Sequence, residues 1–296
     1  MVCFGGMIVT HAPPCPTVTV TRFAPSPTGY LHLGHAFAAI TACEAGERFL
    51  VRIEDIDATR CRPEYETAIL EDLKWLGLGF EEPMLRQSAR LDAYRAALDS
   101  LAARGLLYPC FCTRKEIADE IARSGEAPHG PDGLHYPGIC RTLSEDERMR
   151  RMTSGAPYAL RLDAAKAAAE AGNLFFEECG AGPNGEAGRI AVDPLLFGDI
   201  VLARKEIPTA YHLAVVVDDA FQDVSLVTRG NDLFAASHVQ RLLQVLLGLP
   251  RPAYAHHRLI LEDSGRKFSK RDAAVTLRAL REAGVTPREI RARLDL

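Results

Sequence analysis

Two histidines three residues apart, His32 and His35, flank Gly34 shortly after a segment rich in β-branched residues and a proline-rich turn. The residues that follow have the composition of a helix. A helix that begins just after a strand presents unpaired backbone N–H groups and favours an anion. Imidazole N–H groups there can donate to a phosphate, and glycine lets a flat ligand approach the backbone. Helix caps and core histidines share this spacing, so the position after the strand is what favours an anion site.

A second candidate segment is basic and lies at residues 266–271. Only six of the 35 basic residues are lysines, and two of them, Lys267 and Lys270, lie here. A solvated basic loop is the ordinary interpretation of such a run. Compact ammonium groups on a loop can also close over a polyphosphate and stabilise charge that develops in a transition state.

Three of the eight cysteines are spaced as metal ligands. Cys110 and Cys112 form a C-x-C pair, whose sulfurs share one face of an extended segment, and Cys140 follows on a turn. Three clustered thiols favour zinc, which takes four ligands. The residues leave the fourth ligand open between the adjacent His135 and Tyr136, with His129 nearby, and histidine is the better ligand on chemistry alone. Eight cysteines in 296 residues do not make a disulfide scaffold.

The residue patterns predict an α/β fold. A strand at 17–23, a helix at 31–45 and a strand at 49–53 form a βαβ unit, which indicates a parallel sheet. Between 108 and 207 short strands alternate with short helices, as in an inserted α+β domain. The other predicted elements are helices at 63–76, 88–104 (with Ser88 as N-cap), 235–247, 275–283 and 287–294, and a buried strand or short helix at 210–218.

Composition narrows the functional classes. The chain is 47% hydrophobic and 25% charged, as in ordinary soluble globular proteins. Its apolar runs are far shorter than the roughly 18 to 20 residues of a membrane-spanning helix. The N-terminal extension, 1–17, does not resemble a signal peptide, so we expect a cytoplasmic protein with no membrane partner. The net charge of −4 confines any nucleic-acid contact to a local basic patch.

Three longer stretches resemble the signature motifs of class I aminoacyl-tRNA synthetases, in particular the glutamyl branch. They are RFAPSPTGYLHLGHA from Arg22, RIEDIDATR from Arg52 and KFSKRD from Lys267, and matching stretches run from residue 22 to about 272. The resemblance implies a Rossmann-like, parallel-sheet catalytic domain that is split by a smaller, zinc-containing α+β insertion. The implied division is a catalytic domain at 18–107 and 208–262, an acceptor-type insertion at 108–207, a KMSKS-type loop with C-terminal helices at 263–296, and no anticodon-binding domain.

The resemblance also implies activation of L-glutamate by ATP, giving glutamyl-adenylate and pyrophosphate. ATP is expected on His32, Gly34, His35 and Lys270, with Lys267 assisting, and the two histidines and two lysines are the expected catalytic residues. Mg²⁺ is expected to accompany ATP without a dedicated protein cage.

A glutamate substrate needs cations for its side-chain carboxylate and an anion for its ammonium group. Arg22 and Arg229 each lie at the end of a predicted strand and offer bidentate, charge-assisted bonds, and Glu54 ends another strand. Structural ion pairs are the alternative for Glu54 and Arg229. Two arginines facing the substrate reject glutamine, because an amide leaves a cationic site poorly paired. By resemblance the same pocket is also lined by Phe23, Ala24, Pro25, Ser26 and Tyr211.

Within this branch the chain is most similar, in length and motifs, to the short glutamyl-queuosine tRNA(Asp) synthetases, because only 25 residues follow Arg271. These paralogs activate glutamate without tRNA and attach it to the queuosine base at the wobble position of tRNA(Asp). The implied partners are therefore L-glutamate, ATP and the anticodon stem-loop of tRNA(Asp), and a monomer is expected. The paralogs' pattern C-x-C…Y-x₃-C implies Tyr136 as the fourth ligand of a structural zinc, with His135 as the alternative.

Two other functions are open at this point. One is a truncated glutamyl-tRNA synthetase that charges a tRNA 3′ end, and the other is a catalytically silent RNA-binding paralog. The presence of His32, Gly34 and Lys270 counts against the silent paralog. The arginines that could form an RNA-binding patch, or equally a solvated helix face, are Arg241, Arg251, Arg258, Arg278, Arg281, Arg288, Arg291 and Arg293.

Overall fold

A computed structural model describes residues 18–124, 129–131, 133–204, 208–260 and 275–296. Its strands are β1 (Val20–Phe23), β2 (Arg48–Ile53), β3 (Glu81–Arg86), β4 (Leu107–Cys110), β5 (His129–Gly130), β6 (Gly133–Leu134), β7 (Ala159–Leu162), β8 (Phe175–Glu178), β9 (Gly188–Ala191), β10 (Val201–Arg204), β11 (Leu226–Gly230) and β12 (Ala253–His257). Its α-helices are α1 (Leu33–Ala45), α2 (Pro63–Trp75), α3 (Leu91–Ala103), α4 (Arg114–Ser124), α5 (Glu145–Thr153), α6 (Ala164–Ala171), α7 (Tyr211–Phe221), α8 (Ala236–Leu246), α9 (Leu277–Glu282) and α10 (Pro287–Arg293). Short 3₁₀ helices lie at Gln87–Arg90, Ile139–Thr142 and Asn231–Leu233.

Parallel strands form the centre of the molecule, as the βαβ pattern predicts. β1, β2 and β3 pair in parallel, and so do β11, β12 and β8, with antiparallel β9 at the edge. The two sheets meet where the backbone N–H of Ser225 donates to the Val20 carbonyl at 3.0 Å, and the Val20 N–H donates to Ser225 Oγ at 2.9 Å. The resulting order 3-2-1-11-12 reverses between β1 and β11. In open α/β sheets, ligands bind at such a reversal, beyond the carboxyl ends of the strands.

Residues 108–207 do not form one separate sheet. β4, β7 and β10 make a small antiparallel sheet, as expected for an α+β unit. β8 and β9, by contrast, join the larger sheet, where Glu178 of β8 lies opposite Tyr254 of β12. This stretch of the chain therefore contributes two strands to the same layer as the parallel strands.

Most predicted elements lie within a few residues of their observed bounds, and the differences have local causes. The segment at 210–218 is the start of helix α7, not a strand. Ser88 is not the N-cap of an α-helix: its N–H and Oγ donate to the Asp55 carboxylate at 2.8 and 2.6 Å, and a 3₁₀ turn precedes α3. β3 was not predicted, because its sequence EEPMLR has a proline and too few apolar residues to alternate.

The C-terminal helices pack on helices α1 and α2. Leu277, Leu280, Ile290 and Leu294 are buried in the same apolar cluster as helices α1 and α2. Thr286 begins α10 with a reciprocal cap, in which its hydroxyl accepts from the backbone of Glu289 while the Glu289 carboxylate accepts from Thr286 N–H. None of the helices in the described ranges is both long and apolar enough to cross a bilayer.

Several arginines considered for an RNA patch are used to attach these helices instead. Arg281 pairs with Glu71 and Asp72, and Arg291 pairs with Glu44. Arg278 donates to Tyr30 Oη at 3.2 Å, and Arg258 donates to the carbonyl of Leu294 at 2.7 Å. Exposed Arg251, Arg288 and Arg293 are the better placed of the eight for contact with a polyanion.

Asp72, on the contact between α2 and α9, predicts a pH dependence of stability. Burial raises the pKa of its carboxyl from 3.8 to about 6, although Arg281 opposes the shift. The folded state therefore holds a proton that the unfolded state has released between pH about 4 and about 6. The free energy of unfolding should fall as pH rises through this window.

In Asp72→Asn the fall in unfolding free energy between pH about 4 and about 6 should be absent, as measured by urea unfolding from pH 4 to 7. Glu64→Gln, at an exposed position in the first turn of α2, is the matched control, and identical slopes in wild type and Asp72→Asn would contradict the prediction.

Candidate active site

A cleft of about 400 Å³ opens at the carboxyl ends of β1, β2 and β11, beside the N-termini of α1 and α7. It lies at the reversal in strand order, where the fold places a ligand. The described residues that the sequence predicted for glutamate or ATP all line it: Arg22, Phe23, Ala24, Pro25, Ser26, His32, Gly34, His35, Glu54, Tyr211 and Arg229.

Lys267 and Lys270 lie outside the described residues. The described residues on either side of their segment both lie at the cleft. Ile260 lines it, and Thr276 forms a β-bridge with His32, next to a hydrogen bond from Leu277 N–H to the Leu31 carbonyl at 2.8 Å. The described residues that flank this segment, Ile260 and Thr276, are thus at the cleft or bonded to a residue that lines it.

The two histidines cap helix α1, and their rings lie against each other with their planes tilted by 35°. His32 Nδ1 accepts from the Gly34 N–H at 3.1 Å, and His35 Nδ1 accepts from the His32 N–H at 3.2 Å. Their ring centroids are 3.8 Å apart. Because each Nδ1 accepts a hydrogen bond, the neutral form of each ring carries its proton on Nε2. Both rings can therefore act as Nε2–H donors toward an anion at the helix N-terminus.

A buried ion network lies beneath the other end of the cleft. Asp219 on α7 accepts from Arg22 Nε at 2.9 Å and from Arg52 Nη1 at 2.7 Å. Arg22 Nη1 also donates to the Thr228 carbonyl at 3.3 Å, and Arg52 Nη2 reaches Glu54 Oε1 at 3.4 Å. One carboxylate thus connects β1, β2 and α7, and it fixes the side chains nearest the predicted ammonium-binding Glu54.

The charges in this network depend on one another. Burial disfavours ionisation of Asp219, but the guanidinium groups of Arg22 and Arg52 outweigh it and hold the pKa below the usual value. At Glu54 burial prevails and raises the pKa of the carboxyl, with Arg52 and Arg22 opposing. A cationic group arriving beside Glu54 would favour its ionised form.

Arg229 has a different set of partners. Its Nε donates to His256 Nε2 at 3.1 Å, its Nη1 to Gln240 Oε1 at 2.7 Å and its Nη2 to Ser237 Oγ at 2.6 Å. All three acceptors are neutral, and the guanidinium is buried. Within the described ranges no carboxylate forms an ion pair with Arg229, whereas Arg22 is held by one. Arg229 is therefore a buried cation suited to an incoming carboxylate.

Helix α7 places two further side chains near this cation. Tyr211 is its first residue and is partly exposed at the cleft. Burial, with a contribution from Arg229, lowers the pKa of the adjacent His212 to about 4. His212 is therefore neutral near pH 7 and adds no charge beside Arg229.

Sequence reasoning missed the residues that hold the arginines in place: Arg52, Glu178, Asp219, Ser237, Gln240 and His256. One signal was present for Asp219. It belongs to an Asp-Asp pair in the apolar run AVVVDDAF, and a charge in such a run is expected to be buried against a partner. The others lie in ordinary contexts, and their partners are distant in the sequence.

A second candidate centre lies at the end of β4. The Sγ atoms of Cys110, Cys112 and Cys140 lie within 4.8 Å of one another, and those of Cys112 and Cys140 are 3.4 Å apart. Burial, together with the neighbouring sulfurs, raises the pKa of Cys112 to about 12. A dication that binds the thiolates would offset the unfavourable burial of their negative charge, so the donor set fits a metal such as zinc.

The two candidates for a fourth ligand lie in different positions. Tyr136 Oη is 3.4 Å from Cys112 Sγ and accepts from the Cys140 N–H at 2.8 Å. The guanidinium of Arg161 lies 3.9 Å above its ring. His135 instead places Nε2 2.9 Å from the Leu196 carbonyl. The geometry brings Tyr136, and not His135, to the three sulfurs.

Comparison with known proteins identifies the family. A family model described as tRNA synthetases class I (E and Q), catalytic domain, matches residues 18–296. The chain belongs to this family. The resemblance inferred from the three signature stretches is thereby confirmed.

The relatives differ in length. A protein of Rhodobacter capsulatus, named glutamyl-Q tRNA(Asp) synthetase, is 50% identical over 285 residues, which cover 94% of this chain and 100% of that protein. A glutamate–tRNA ligase of Aquifex aeolicus is 40% identical over 90% of this chain and 54% of the ligase. The crystal structure of a glutamate tRNA ligase from Elizabethkingia meningosepticum, in complex with its amino acid, matches at a TM-score of 0.68 and 28% identity over 86% of this chain and 52% of that one. The chain spans about half the length of these two ligases.

The buried network predicts a large effect of Asp219. In Asp219→Asn one neutral amide replaces the carboxylate that two buried guanidinium groups share, so the free energy of unfolding should fall by about 3 kcal/mol or more. Urea unfolding at pH 7 measures the loss. Asp223→Asn is the matched control, since Asp223 is exposed and has a φ of 53° that asparagine tolerates. Equal losses in the two variants would contradict a structural role of the network.

Proposed function

We propose that the protein activates L-glutamate with ATP, without tRNA, and transfers the glutamate to the queuosine base at the wobble position of tRNA(Asp). The observation that carries the proposal is the cleft itself. One cleft brings together a helix N-terminus with two histidine donors, a carboxylate at Glu54 and two buried arginines. This arrangement complements a nucleoside triphosphate beside an amino acid that has one ammonium group and two carboxylates.

In this reaction the α-carboxylate of glutamate attacks the α-phosphorus of ATP, so that glutamyl-adenylate forms and pyrophosphate leaves. Glu54 holds the ammonium group, and Arg22 and Arg229 hold the side-chain carboxylate. The Nε2–H groups of His32 and His35 donate to phosphate oxygens. Little acid–base chemistry is required of the protein, and positioning with electrostatic stabilisation accounts for the rate.

The loop lysines and the magnesium ion complete the proposed step. Lys270, assisted by Lys267, meets the phosphates as negative charge develops on them. Mg²⁺ bound to ATP shields the phosphate charge. The support for the lysines is the motif and the position of Ile260 and Thr276, since both flanks of the segment lie at the cleft.

The acceptor is the finer part of the proposal. The relative from Rhodobacter capsulatus, named glutamyl-Q tRNA(Asp) synthetase, aligns with this chain over its whole length, which supports queuosine-containing tRNA(Asp). The second candidate is charging of a tRNA 3′ end, and the 40% identity to a glutamate–tRNA ligase favours it. Transfer experiments separate the two, because the products differ in the position of the glutamyl group.

The test is glutamate-dependent exchange between ATP and pyrophosphate without tRNA, followed by transfer of labelled glutamate to tRNA(Asp) with and without queuosine. We expect exchange in the absence of tRNA and label only on the queuosine-containing tRNA. Lys270→Ala should reduce exchange by about 100-fold or more, as expected for loss of a cation that acts mainly in the transition state. Exposed Lys74 supplies the matched control, Lys74→Ala. Exchange followed by labelling of the 3′ end would replace our proposal with the second candidate.

We also propose that Cys110, Cys112, Tyr136 and Cys140 hold a structural zinc. Three sulfurs and a phenol oxygen within contact distance support a four-coordinate site. The zinc would fix the end of β4 to the 3₁₀ turn Ile139–Thr142.

Metal analysis of purified variants tests the site. The wild-type protein should carry about one zinc per chain, and Cys112→Ser should lose most of it and unfold at a lower temperature. Cys179→Ser is the control, because Cys179 is exposed and lies outside the cluster. Full zinc occupancy in Cys112→Ser would remove this thiol from the ligand set. A comparison of Tyr136→Phe with His135→Ala then identifies the fourth ligand.

A further inference from the structure

Arg229 is supported from behind by a buried glutamate–histidine pair. Glu178, the last residue of β8, places Oε2 2.5 Å from His256 Nδ1 on β12. The Nε2 of the same ring accepts from Arg229 Nε at 3.1 Å. The side chains of Glu178 and His256 are 0% exposed. A continuous row of hydrogen-bonded groups thus runs from β8 through β12 to the cation in the cleft.

The Glu178 carboxylate has little freedom to turn. Its Oε1 accepts from the backbone N–H of His256 at 2.9 Å and from that of Gly180 at 2.9 Å, while Oε2 faces the imidazole. Gly180 allows this approach, because a Cβ there would clash with the backbone of His256. Both carboxylate oxygens are therefore held, and the backbone is shaped to hold them.

This arrangement fixes the tautomer of His256. An ionised carboxylate only accepts hydrogen bonds, so Nδ1 carries the proton and Nε2 presents a lone pair. That lone pair faces the N–H on Nε of Arg229. The opposite tautomer would set two N–H groups against each other and would push the guanidinium out of its present position.

The orientation of the Arg229 guanidinium determines which of its N–H groups remain for a substrate. His256, Gln240 and Ser237 take three of the five N–H groups of Arg229. Within the described part of the chain, one N–H on each Nη then remains for a ligand in the cleft. A carboxylate can accept both at once. A side-chain amide has one oxygen acceptor, and its NH₂ group meets a donor, so its binding is weaker.

We propose that Glu178 and His256 are positioning residues that aim Arg229 at the side-chain carboxylate of the substrate and so establish the preference for glutamate over glutamine. The inference rests on the proposed function, in which Arg229 binds that carboxylate. It assigns a role in the site to β8, which belongs to the stretch 108–207 and supplies no residue that lines the cleft.

Kinetics of ATP–pyrophosphate exchange test the proposal through the Michaelis constants. Glu178→Gln keeps the shape of the side chain but has only one acceptor oxygen, and His256→Asn is too short to reach Arg229. Each should raise KM for glutamate by about tenfold or more, since one hydrogen bond to a charged group is lost. KM for ATP and kcat should change much less, and discrimination against glutamine should fall. His256→Gln can place an amide oxygen near the position of Nε2, so its KM should lie between those of wild type and His256→Asn.

Glu177→Gln is the matched control, because Glu177 precedes Glu178 on β8 and faces the other side of the sheet. It should leave all these constants unchanged. Unchanged KM for glutamate in both Glu178→Gln and His256→Asn would overturn the proposal while leaving the proposed function intact. Equal rises in KM for glutamate and for ATP would also overturn it, since they indicate general damage. Absence of glutamate-dependent exchange in the wild-type protein would overturn the proposed function, and the inference with it.

A measurement on the wild-type protein keeps the proposal testable if the variants do not fold. With ¹⁵N-labelled histidine, long-range ¹H–¹⁵N spectra report which ring nitrogen carries the proton. His256 should be neutral with its proton on Nδ1, and its Nε2 resonance should move when saturating L-glutamate is added. A proton on Nε2, or an unchanged Nε2 resonance in protein that is active in exchange, would overturn the proposal.

Discussion

The site depends on one buried carboxylate that is shared by two guanidinium groups. Asp219 accepts from Arg22 and Arg52, and all three side chains are almost fully excluded from water. A charge in such an interior is tolerated only when opposite charges and hydrogen bonds compensate it. Because the three residues belong to α7, β1 and β2, this requirement joins the first parallel sheet to the helix that precedes β11. Glu54 is then held near Arg52, and the cleft forms above the network.

The two arginines that face the cleft, Arg22 and Arg229, are held by different kinds of hydrogen-bond acceptor. Arg22 already has a carboxylate partner, so its position is fixed whether or not a ligand is present. Arg229 is held by neutral acceptors and keeps its positive charge without an ion pair among the described residues. An incoming carboxylate therefore gains most at Arg229, while Arg22 supplies a rigid second contact. This division avoids a site in which two unpaired cations would repel each other before the substrate arrives.

Much of the fold and of the site could be predicted where the signal is local. Apolar residues recur with clear periodicity, between turn residues, in the strand 17–23, the helix 31–45 and the strand 49–53. The motifs around Arg22, His32 and Glu54 mark the ends of those elements. β8 and β9 were not recognised as part of the main sheet, because their neighbour β12 lies about 80 residues further along the chain. Asp219 was missed for the same reason: its partner Arg22 is 197 residues away, and no local pattern encodes that contact. The segment at 210–218 was ambiguous, since a short apolar run suits a buried strand as well as a buried helix.

Two histidines at the cleft, His32 and His35, and one buried behind it, His256, are held in opposite tautomers, and this difference follows the charge that each end is suited to receive. At the start of α1, backbone N–H groups donate to Nδ1 of His32 and His35, which leaves protons on Nε2 for an anion. At the other end, Glu178 accepts a hydrogen bond from Nδ1–H of His256, which leaves a lone pair on Nε2 for Arg229. Imidazole thus serves as a donor toward a phosphate at the cleft and as an acceptor toward a cation behind it. Neither use requires a charged ring, and burial lowers the pKa of His256, with Glu178 opposing. The cleft therefore obtains both polarities from the backbone and from one carboxylate, rather than from additional buried charges.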